Sequence, residues 1–323
     1  MSAVGLLASA IVLLLAVPYL LPSRSLSPVS GIVLWSSVLF MRAVLAVFLA
    51  VVVVFFIPAT QLFSLLTHWC LHAVVPFFAT HLGFDGHSLG DAAVVVPAVV
   101  TAASLLSVGF GAWRGARTVR RWLKRSSLGT GPGSSVIVGG SEVVLLAAGI
   151  RSPRVVVSAG ALVRLDDAEL AAGLEHEWGH VVRRHRLVAL LGQACRALSH
   201  LLPGGKRALE QLQLHLERDA DDYAVRRTGD PIALASAICK AAGASGRSAT
   251  PAFTGLDGDA VTARLRRLTG EGPEAKPVLR LLPRSLAAIL LAGTLALTSS
   301  AAALASTDPH ARHEAQPAHT VDC

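Results

Sequence analysis

The uncharged stretch Ala43–Leu66, AVLAVFLAVVVVFFIPATQLFSLL, decides the fold class of this chain. At about 1.5 Å of rise per residue, it is long enough to cross about 30 Å of hydrocarbon as a helix. The composition agrees, because 53% of the 323 residues are hydrophobic and only 15% are charged, against about 25% charged in soluble domains. We therefore expect an integral membrane protein. Val33–Met41, just before Arg42, either lengthens this helix or lies at the membrane interface.

Three further uncharged runs flank the first. Ala3–Leu21 precedes every basic residue, which favours an uncleaved anchor, because a secretory signal begins with a positive segment. Ala92–Trp113 and Ser285–Thr307 are the third and fourth candidate spans. We expect an α-helical membrane protein of four spans, divided into residues 1–115 with three spans, 116–283 as a soluble domain, 284–307 with the fourth span, and a short tail at 308–323.

Basic residues lie beside only some of these spans. They cluster at 114–125 and 276–284 and occur in the Arg24–Arg42 connection, whereas 67–91 have none. The positive-inside rule therefore predicts a cytoplasmic soluble domain with both termini outside, in the cytoplasmic membrane, and the Ala/Val/Leu/Arg-rich usage is typical of a GC-rich bacterium. The 114–125 stripe could suggest nucleic acid, but only Trp122 could stack on a base. We interpret it as lipid-facing and expect no nucleic-acid partner.

The sequence of the soluble domain predicts a sheet followed by helices, which is an α+β pattern. The Gly/Pro/Ser-rich stretch Ser127–Ser135 predicts a linker, and short β-branched runs with glycine turns between them predict a small meandering sheet. Asp166 and Asp167 predict the start of a helix that runs from about Ala168 to His185 or further. The remaining predicted elements are strands at Val136–Val138, Val143–Ala147 and Arg154–Ser158, and helices at Lys206–Arg227, Ile232–Ala242 and Ala260–Leu268.

The first of those helices contains the pattern H-E-x-x-H at His176–His180. Residues four apart project from one face of a helix, so the two imidazoles can bind a single Zn²⁺. Glu177, next to the first ligand, can then act as the base that takes a proton from a water and passes it to a leaving amine. This arrangement suits hydrolysis of a peptide bond. The pentapeptide alone is only moderately specific, because a helix that exposes His and Glu by chance also produces it.

The third ligand must come from elsewhere in the chain. A metzincin would carry a third His ten residues after the first, with a Gly between them, but Arg186 and Arg183 occupy those positions, so that class is excluded. On the later long helix, Glu217 and Asp221 are four apart and share a face. Glu217 can complete the site, and Asp221 can orient a ligating His. In isolation, this pair would indicate only a solvated acidic helix face. Because it follows an H-E-x-x-H motif in the chain, the interpretation as part of a metal site is favoured.

Several segments together resemble membrane-embedded gluzincins: the M56 peptidases, which include the protease part of bacterial β-lactam receptors, and the related M48 peptidases. The resemblance is carried by Pro153–Leu165 (PRVVVSAGALVRL), Glu169-Leu170, Gly173–His180 (GLEHEWGH), Glu217–Ala224 and Arg264–Leu268. The order of three spans, protease and fourth span is that of M56. The resemblance implies one zinc ion per chain at His176, His180 and Glu217, with Glu177 as catalytic base and Asp221 as supporting carboxylate.

This chain departs from that family at two places. Where such proteins often carry an Asp five residues after the second ligand, it has His185, which we expect to alter local packing but not zinc binding. A β-lactam receptor continues into a large extracellular sensor, whereas only Asp308–Cys323 follow the last span here. A separate sensor protein is therefore a candidate partner.

The leading hypothesis is a membrane-anchored zinc endopeptidase that hydrolyses a protein or peptide substrate, in regulated proteolysis of a repressor or a membrane protein. Two alternatives remain: an M48-like peptidase for quality control of membrane proteins, and a signal-transducing membrane protein whose protease domain is a non-catalytic module.

Overall fold

A computed structural model describes residues 26–55, 86–149, 153–244 and 258–271, together with positions 16, 18 and 19. The predicted fourth span and the tail lie outside these residues, as do most of the first span and the part of the second beyond position 55. The described part is mostly helical, with one small sheet.

Helix α1 covers Pro28–Phe55, so Val33–Met41 lengthens the second predicted span rather than lying apart from it. Arg42 lies inside this helix, and the expected Arg24–Arg42 connection is helical from Pro28 onwards. Among the described residues, Pro28–Phe48 is the one helical stretch long and apolar enough to cross a membrane, and half of it is buried within the protein.

Helix α2 covers Gly86–Ser126 and includes the predicted third span Ala92–Trp113. The helix is therefore confirmed, while its crossing of a membrane stays a prediction. It continues without a break through position 115, where the soluble domain was expected to begin, and leads directly into the sheet.

The sheet has four strands: β1 (Ser127–Thr130), β2 (Val136–Val138), β3 (Leu145–Ala148) and β4 (Arg154–Ser158). Their order across the sheet is β1-β2-β4-β3. The expectation of a linker over Ser127–Ser135 was wrong, because β1 pairs antiparallel with β2 through a tight turn that contains Gly133 at φ 61°. Every residue of strand β1 is exposed. Its sequence therefore lacks the alternation of apolar and polar residues by which a half-buried strand is predicted. The sheet is also not a meander: β2 pairs parallel with β4, and β3 lies at the edge.

Two helices follow the sheet. Helix α3, Ala159–Arg164, begins at Ser158, whose hydroxyl accepts a hydrogen bond from the Ala161 N–H. Helix α4 covers Asp167–Val182. Asp166 caps its start, as predicted, and forms a reciprocal capping box with Glu169, which was not predicted from the sequence.

Helix α4 ends before His185, where the sequence predicted that it would continue. Arg184 adopts a left-handed conformation at φ 55°, which breaks the helix and starts a new one, α5 (His185–Leu198). No glycine or proline marks this break in the sequence.

The last three helices confirm the predicted ones to within about two residues. They are α6 at Gly205–Thr228, α7 at Pro231–Ala244 and α8 at Gly258–Leu268. Gly229, at φ 73°, ends α6 in the left-handed conformation that favours glycine.

Helix α1 is packed against helices α5 and α6. Its apolar face, with Leu34, Trp35 and Leu39, forms one core with Leu209 and Leu212 of α6 and with part of α5. A second core lies between the sheet and helices α4, α7 and α8. Helix α6 therefore lies between helix α1 and helix α4, which carries H-E-x-x-H.

A buried arginine and a glycine fix α1 in place. Arg42 is fully buried and donates to the backbone carbonyl of Leu202 at 2.8 Å and also to that of Pro203, in the turn before α6. Gly31 lies directly against the ring of His215 on α6, where an added Cβ would come within 2.3 Å of the ring. The absence of a side chain at Gly31 therefore permits this close approach.

Candidate metal centre

Three side chains of helices α4 and α6 converge on one point. The Nε2 atoms of His176 and His180 lie 3.2 Å apart, and each lies 3.4 Å from a carboxylate oxygen of Glu217. They are the one group of His, Cys, Asp or Glu among the described residues whose ligand atoms come this close together. His176 is fully buried, while His180 and Glu217 are partly exposed, so the cluster opens to solvent on one side.

The donor set fits a zinc ion. Ligand atoms about 2.0–2.2 Å from a tetrahedral Zn²⁺ lie about 3.3–3.6 Å from one another, which is close to the separations between these atoms. Two imidazole nitrogens and one carboxylate are also a set that zinc uses in catalytic sites, with a fourth position left open. The residues present therefore fit this metal.

A glycine inside the motif brings the two ligand helices together. A Cβ at Gly179 would lie 3.2 Å from the Cα of Ala220 and 3.2 Å from the Cβ of Tyr223 on α6. Because these contacts are already tight, a larger residue would push α4 and α6 apart. Gly179 thus sets the distance between the two histidines and Glu217.

Asp221 orients His176 from behind. Its Oδ1 lies 3.0 Å from the His176 Nδ1, the ring nitrogen that faces away from the cluster. Burial lowers the pKa of His176, but the hydrogen bonds with Asp221 and Glu217 raise it to about 9. Burial alone would raise the pKa of Asp221, but Arg264 and His176 lower it to about 2.

Arg264 of α8 joins the two carboxylates of α6. Its Nε and Nη2 donate to the two oxygens of Asp221 at 2.9 and 2.7 Å, and its Nη1 lies 3.0 Å from Glu217 Oε2. The side chain is fully buried. Against the effect of burial, His180 and Arg264 hold the pKa of Glu217 well below its ordinary value, so Glu217 stays ionised.

Glu177 is held at the edge of the sheet. The backbone N–H of Ala147 on β3 donates to Glu177 Oε2 at 2.6 Å, and the side chain is almost completely buried. Burial raises the pKa of Glu177 above its ordinary value, although the nearby histidines oppose this. A carboxylate with a raised pKa beside the two histidines of a candidate metal site is suited to accept and release a proton.

His185 and Asp219 extend the cluster in a way that the sequence did not indicate. His185 Nδ1 lies 3.0 Å from His180 Nδ1, and its Nε2 lies 3.0 Å from Asp219 Oδ2. His185 therefore touches a candidate ligand, and the expectation that it leaves zinc binding unchanged stays a prediction. Burial lowers the pKa of His185 below its ordinary value, with Asp219 opposing the shift, so the ring is neutral near pH 7.

A cavity of about 410 Å³ opens beside His180. Its walls come from the edge strand β3, the following turn and the junction of α4 with α5. Arg186 donates to the carbonyls of Ala147 and Gly149 there, at 3.3 and 3.2 Å. The described residues that line it are Ala147, Gly149, Pro153, His180, Val181, Arg184, Arg186 and Leu187.

One segment of the chain, residues 146–244, matches the sequence model of a known family. That family is peptidase family M48. Its members are zinc-dependent metallopeptidases, and the match supports an M48-type metallopeptidase domain in this part of the chain. The matched segment contains H-E-x-x-H and Glu217. No curated protein and no solved structure matches the chain.

The structure thus brings together all five residues that the sequence singled out: His176, Glu177, His180, Glu217 and Asp221. Sequence reasoning missed the roles of His185 and Asp219, and it quoted Arg264 only as part of a family resemblance. Asp219 carried no signal of its role in the sequence, because residues two apart on a helix, such as Glu217 and Asp219, do not face each other.

Proposed function

We propose that this protein is a membrane-anchored zinc-dependent endopeptidase with one zinc ion per chain. His176, His180 and Glu217 would hold the ion, Glu177 is the catalytic base, and Asp221 orients His176. The observation that carries the proposal is the convergence of the three ligand atoms beside a buried carboxylate that is not one of them. The match to family M48 over the same residues supports a metallopeptidase.

The roles of the chain's own groups follow from their positions. When bound, zinc supplies a Lewis acid that polarises the substrate carbonyl and lowers the pKa of water. The Ala147 N–H holds one oxygen of Glu177, which leaves the other oxygen to take a proton from the attacking water. Glu177 then returns this proton to the nitrogen of the leaving amine. Arg264 and Asp221 keep Glu217 and His176 in place throughout.

The substrate is a protein or peptide that enters the cavity beside His180. Helix α1, packed on α6, supports a site close to the bilayer, and the basic clusters at 114–125 and 276–284 support a cytoplasmic domain. We propose four spans with both termini outside, in the order typical of M56, and regulated proteolysis of a repressor or membrane protein in response to a separate sensor partner. The arrangement of spans is the basis of the M56 assignment.

Metal analysis and proteolysis test the active site together. Full-length protein purified in detergent should contain about one zinc per chain, and the His176→Ala/His180→Ala double variant should contain almost none. Glu177→Gln should keep its zinc yet lose about 10²- to 10⁴-fold in hydrolytic activity, because an amide cannot accept the proton.

Proteomics of cells that carry wild type or Glu177→Gln would identify the substrate. Equal zinc in wild type and double variant would refute the site, and unchanged proteolysis in Glu177→Gln would favour the non-catalytic alternative.

Reporter fusions test the orientation independently. A reporter that is active only outside the membrane should be silent after Gly205, in the soluble domain, and active after Gly86 or at Cys323. The reverse pattern would place His176 and His180 outside and would exclude a cytoplasmic repressor as substrate.

A further inference from the structure

The turn between α4 and α5 places His185 against a candidate metal ligand. Arg184, in its left-handed conformation, breaks the helix, and the first residue of α5 lies against the side chain of His180 on α4. The rings of His180 and His185 then meet edge to face, with centroids 5.0 Å apart and an interplanar angle of 80°. Their Nδ1 atoms lie 3.0 Å apart, and His185 is almost completely buried.

The second ring nitrogen of His185 faces a carboxylate. Its Nε2 lies 3.0 Å from Asp219 Oδ2, while the other oxygen of Asp219 accepts from Arg183. Asp219 is buried and contacts both sides of the turn, Arg183 before Arg184 and His185 after it. The position of His185 is therefore set by a charged partner and not only by apolar packing.

The hydrogen-bond chemistry allows one consistent arrangement of protons for neutral rings. An Asp219 carboxylate only accepts, so His185 must donate from Nε2 and can only accept at Nδ1. His180 must then donate from Nδ1, which leaves its Nε2 with a free lone pair directed at the centre of the cluster. This is the tautomer that a metal ligand requires.

We propose that His185 and Asp219 are positioning residues that hold His180 in its metal-binding tautomer and orientation. This proposal rests on the metal site proposed above. The two histidines of the motif are then supported in different ways: Asp221 contacts His176 directly, whereas Asp219 acts on His180 through one intervening imidazole. All three acids at alternate positions of α6 thereby serve one centre, Glu217 as ligand and the other two behind the histidines.

The test measures zinc affinity of the full-length protein in detergent, by competition with a chelator. His185→Phe keeps an aromatic ring but removes both hydrogen bonds, and it should weaken zinc binding about 10- to 100-fold. His185→Gln can still accept from His180 and donate to Asp219, so its affinity should stay within about threefold of wild type. His200→Phe, the same substitution at an exposed position just beyond α5, is the matched control and should bind zinc like wild type.

Asp219→Asn is an independent arm that does not depend on the folding of His185→Phe. It keeps the shape of the side chain but removes the charge that fixes the tautomer, and it should weaken zinc binding at least about threefold. Combined with His185→Phe, it should add no further loss, because the two residues act in series. With cobalt in place of zinc, both single variants should shift the visible absorption bands.

Three outcomes would overturn the proposal: wild-type affinity in His185→Phe, loss in His185→Gln as large as in His185→Phe, or wild-type affinity in Asp219→Asn. Failure of the metal site itself looks different. In that case wild type would bind no more zinc than the His176→Ala/His180→Ala variant.

Discussion

Arg264 donates two parallel hydrogen bonds to Asp221, at 2.9 and 2.7 Å, in a fully buried position behind the proposed metal ligands. Its third nitrogen lies 3.0 Å from Glu217. Burial lowers the pKa of Arg264, but the two carboxylates outweigh it and raise the pKa above its ordinary value. One guanidinium therefore contacts two carboxylates, the buried Asp221 and the partly exposed Glu217.

We expect Arg264→Met to destabilise the fold by about 3–5 kcal/mol, because it leaves the buried Asp221 and the partly exposed Glu217 without their shared cation. Arg264→Lys should recover only part of this loss, since an ammonium cannot donate the parallel pair. The measurement is thermal unfolding of the purified protein, with Arg266→Met, at an exposed position of the same helix, as control. Equal melting temperatures for Arg264→Met and Arg266→Met would contradict this prediction.

The ion pair between Glu169 and Lys240 should make stability depend on pH. Burial of Glu169 would raise its pKa, but Lys240 at 2.5 Å, the Ser236 hydroxyl and the Asp166 N–H outweigh it and lower the pKa. A carboxylate with a lowered pKa stabilises the fold fully above its unfolded pKa, about 4.3, and loses this contribution as the pH falls through the folded pKa.

Glu169→Gln keeps an acceptor for the capping box but removes the charge. We expect it to be less stable than wild type by about 1.5–3 kcal/mol at pH 7, and the difference should shrink below about pH 4.3. Melting temperatures of both proteins from pH 7 to pH 3 check this. A difference that stays constant across this range would show that the charge of Glu169 is not responsible.

The contact of Gly31 with His215 predicts an unusual penalty for a small substitution. An alanine Cβ at position 31 would lie 2.3 Å from the imidazole, so Gly31→Ala should destabilise the protein by about 1–3 kcal/mol. Gly109→Ala is the matched control, because its Cβ would meet no atom within 4 Å in helix α2. The control should be neutral or stabilising by up to about 1 kcal/mol. Similar melting temperatures for the two variants would mean that α1 is not packed on α6 as described.

The two arginines in the cavity predict a preference for negative charge in the substrate. Arg184 and Arg186 line it, and no acidic residue is among its described lining residues. Peptides with Asp or Glu near the scissile bond should therefore be cleaved faster than their Asn or Gln counterparts, and the preference should weaken at high salt. Arg184→Asn, which suits the left-handed conformation, should reduce the preference about two- to fivefold in kcat/KM, whereas Arg196→Asn should leave it unchanged. An equal preference in both variants would exclude a role for Arg184.

Helical periodicity and a short motif were enough to predict much of this site from the sequence. His176, His180 and Glu177 form a local pattern, and Glu217 and Asp221 could be paired because positions four apart share a helix face. The N-cap at Asp166 and the glycine stop at Gly229 likewise depend only on neighbouring residues. These parts of the structure were predicted because their physical cause lies within one or two turns of the chain.

The features that sequence reasoning missed depend on distant contacts or on backbone conformations without a residue signature. Arg184 adopts a positive φ although it is neither Gly nor Asn, so nothing in the sequence indicated that α4 would end there. Arg264 meets Asp221 only through the packing of α8 on α7 and of α7 on α6. Strand β1 is held by backbone pairing with β2 rather than by burial of its side chains. Backbone pairing requires no particular residue types, so the sequence did not predict this strand.

The continuity of helix α1 affects which peptide bonds of a substrate the proposed active site can reach. It is continuous from Pro28 to Phe55, and Gly31 near its start lies beside the helix that carries Glu217. Gly31 and Phe48 are about 25 Å apart along a helix of this pitch, and no flexible tether separates the proposed active site from the apolar segment. If α1 anchors the protein in the membrane, as proposed above, the site is held at a fixed height relative to the membrane surface. A peptide bond would be selected first by its depth, and only afterwards by the residues on either side of it.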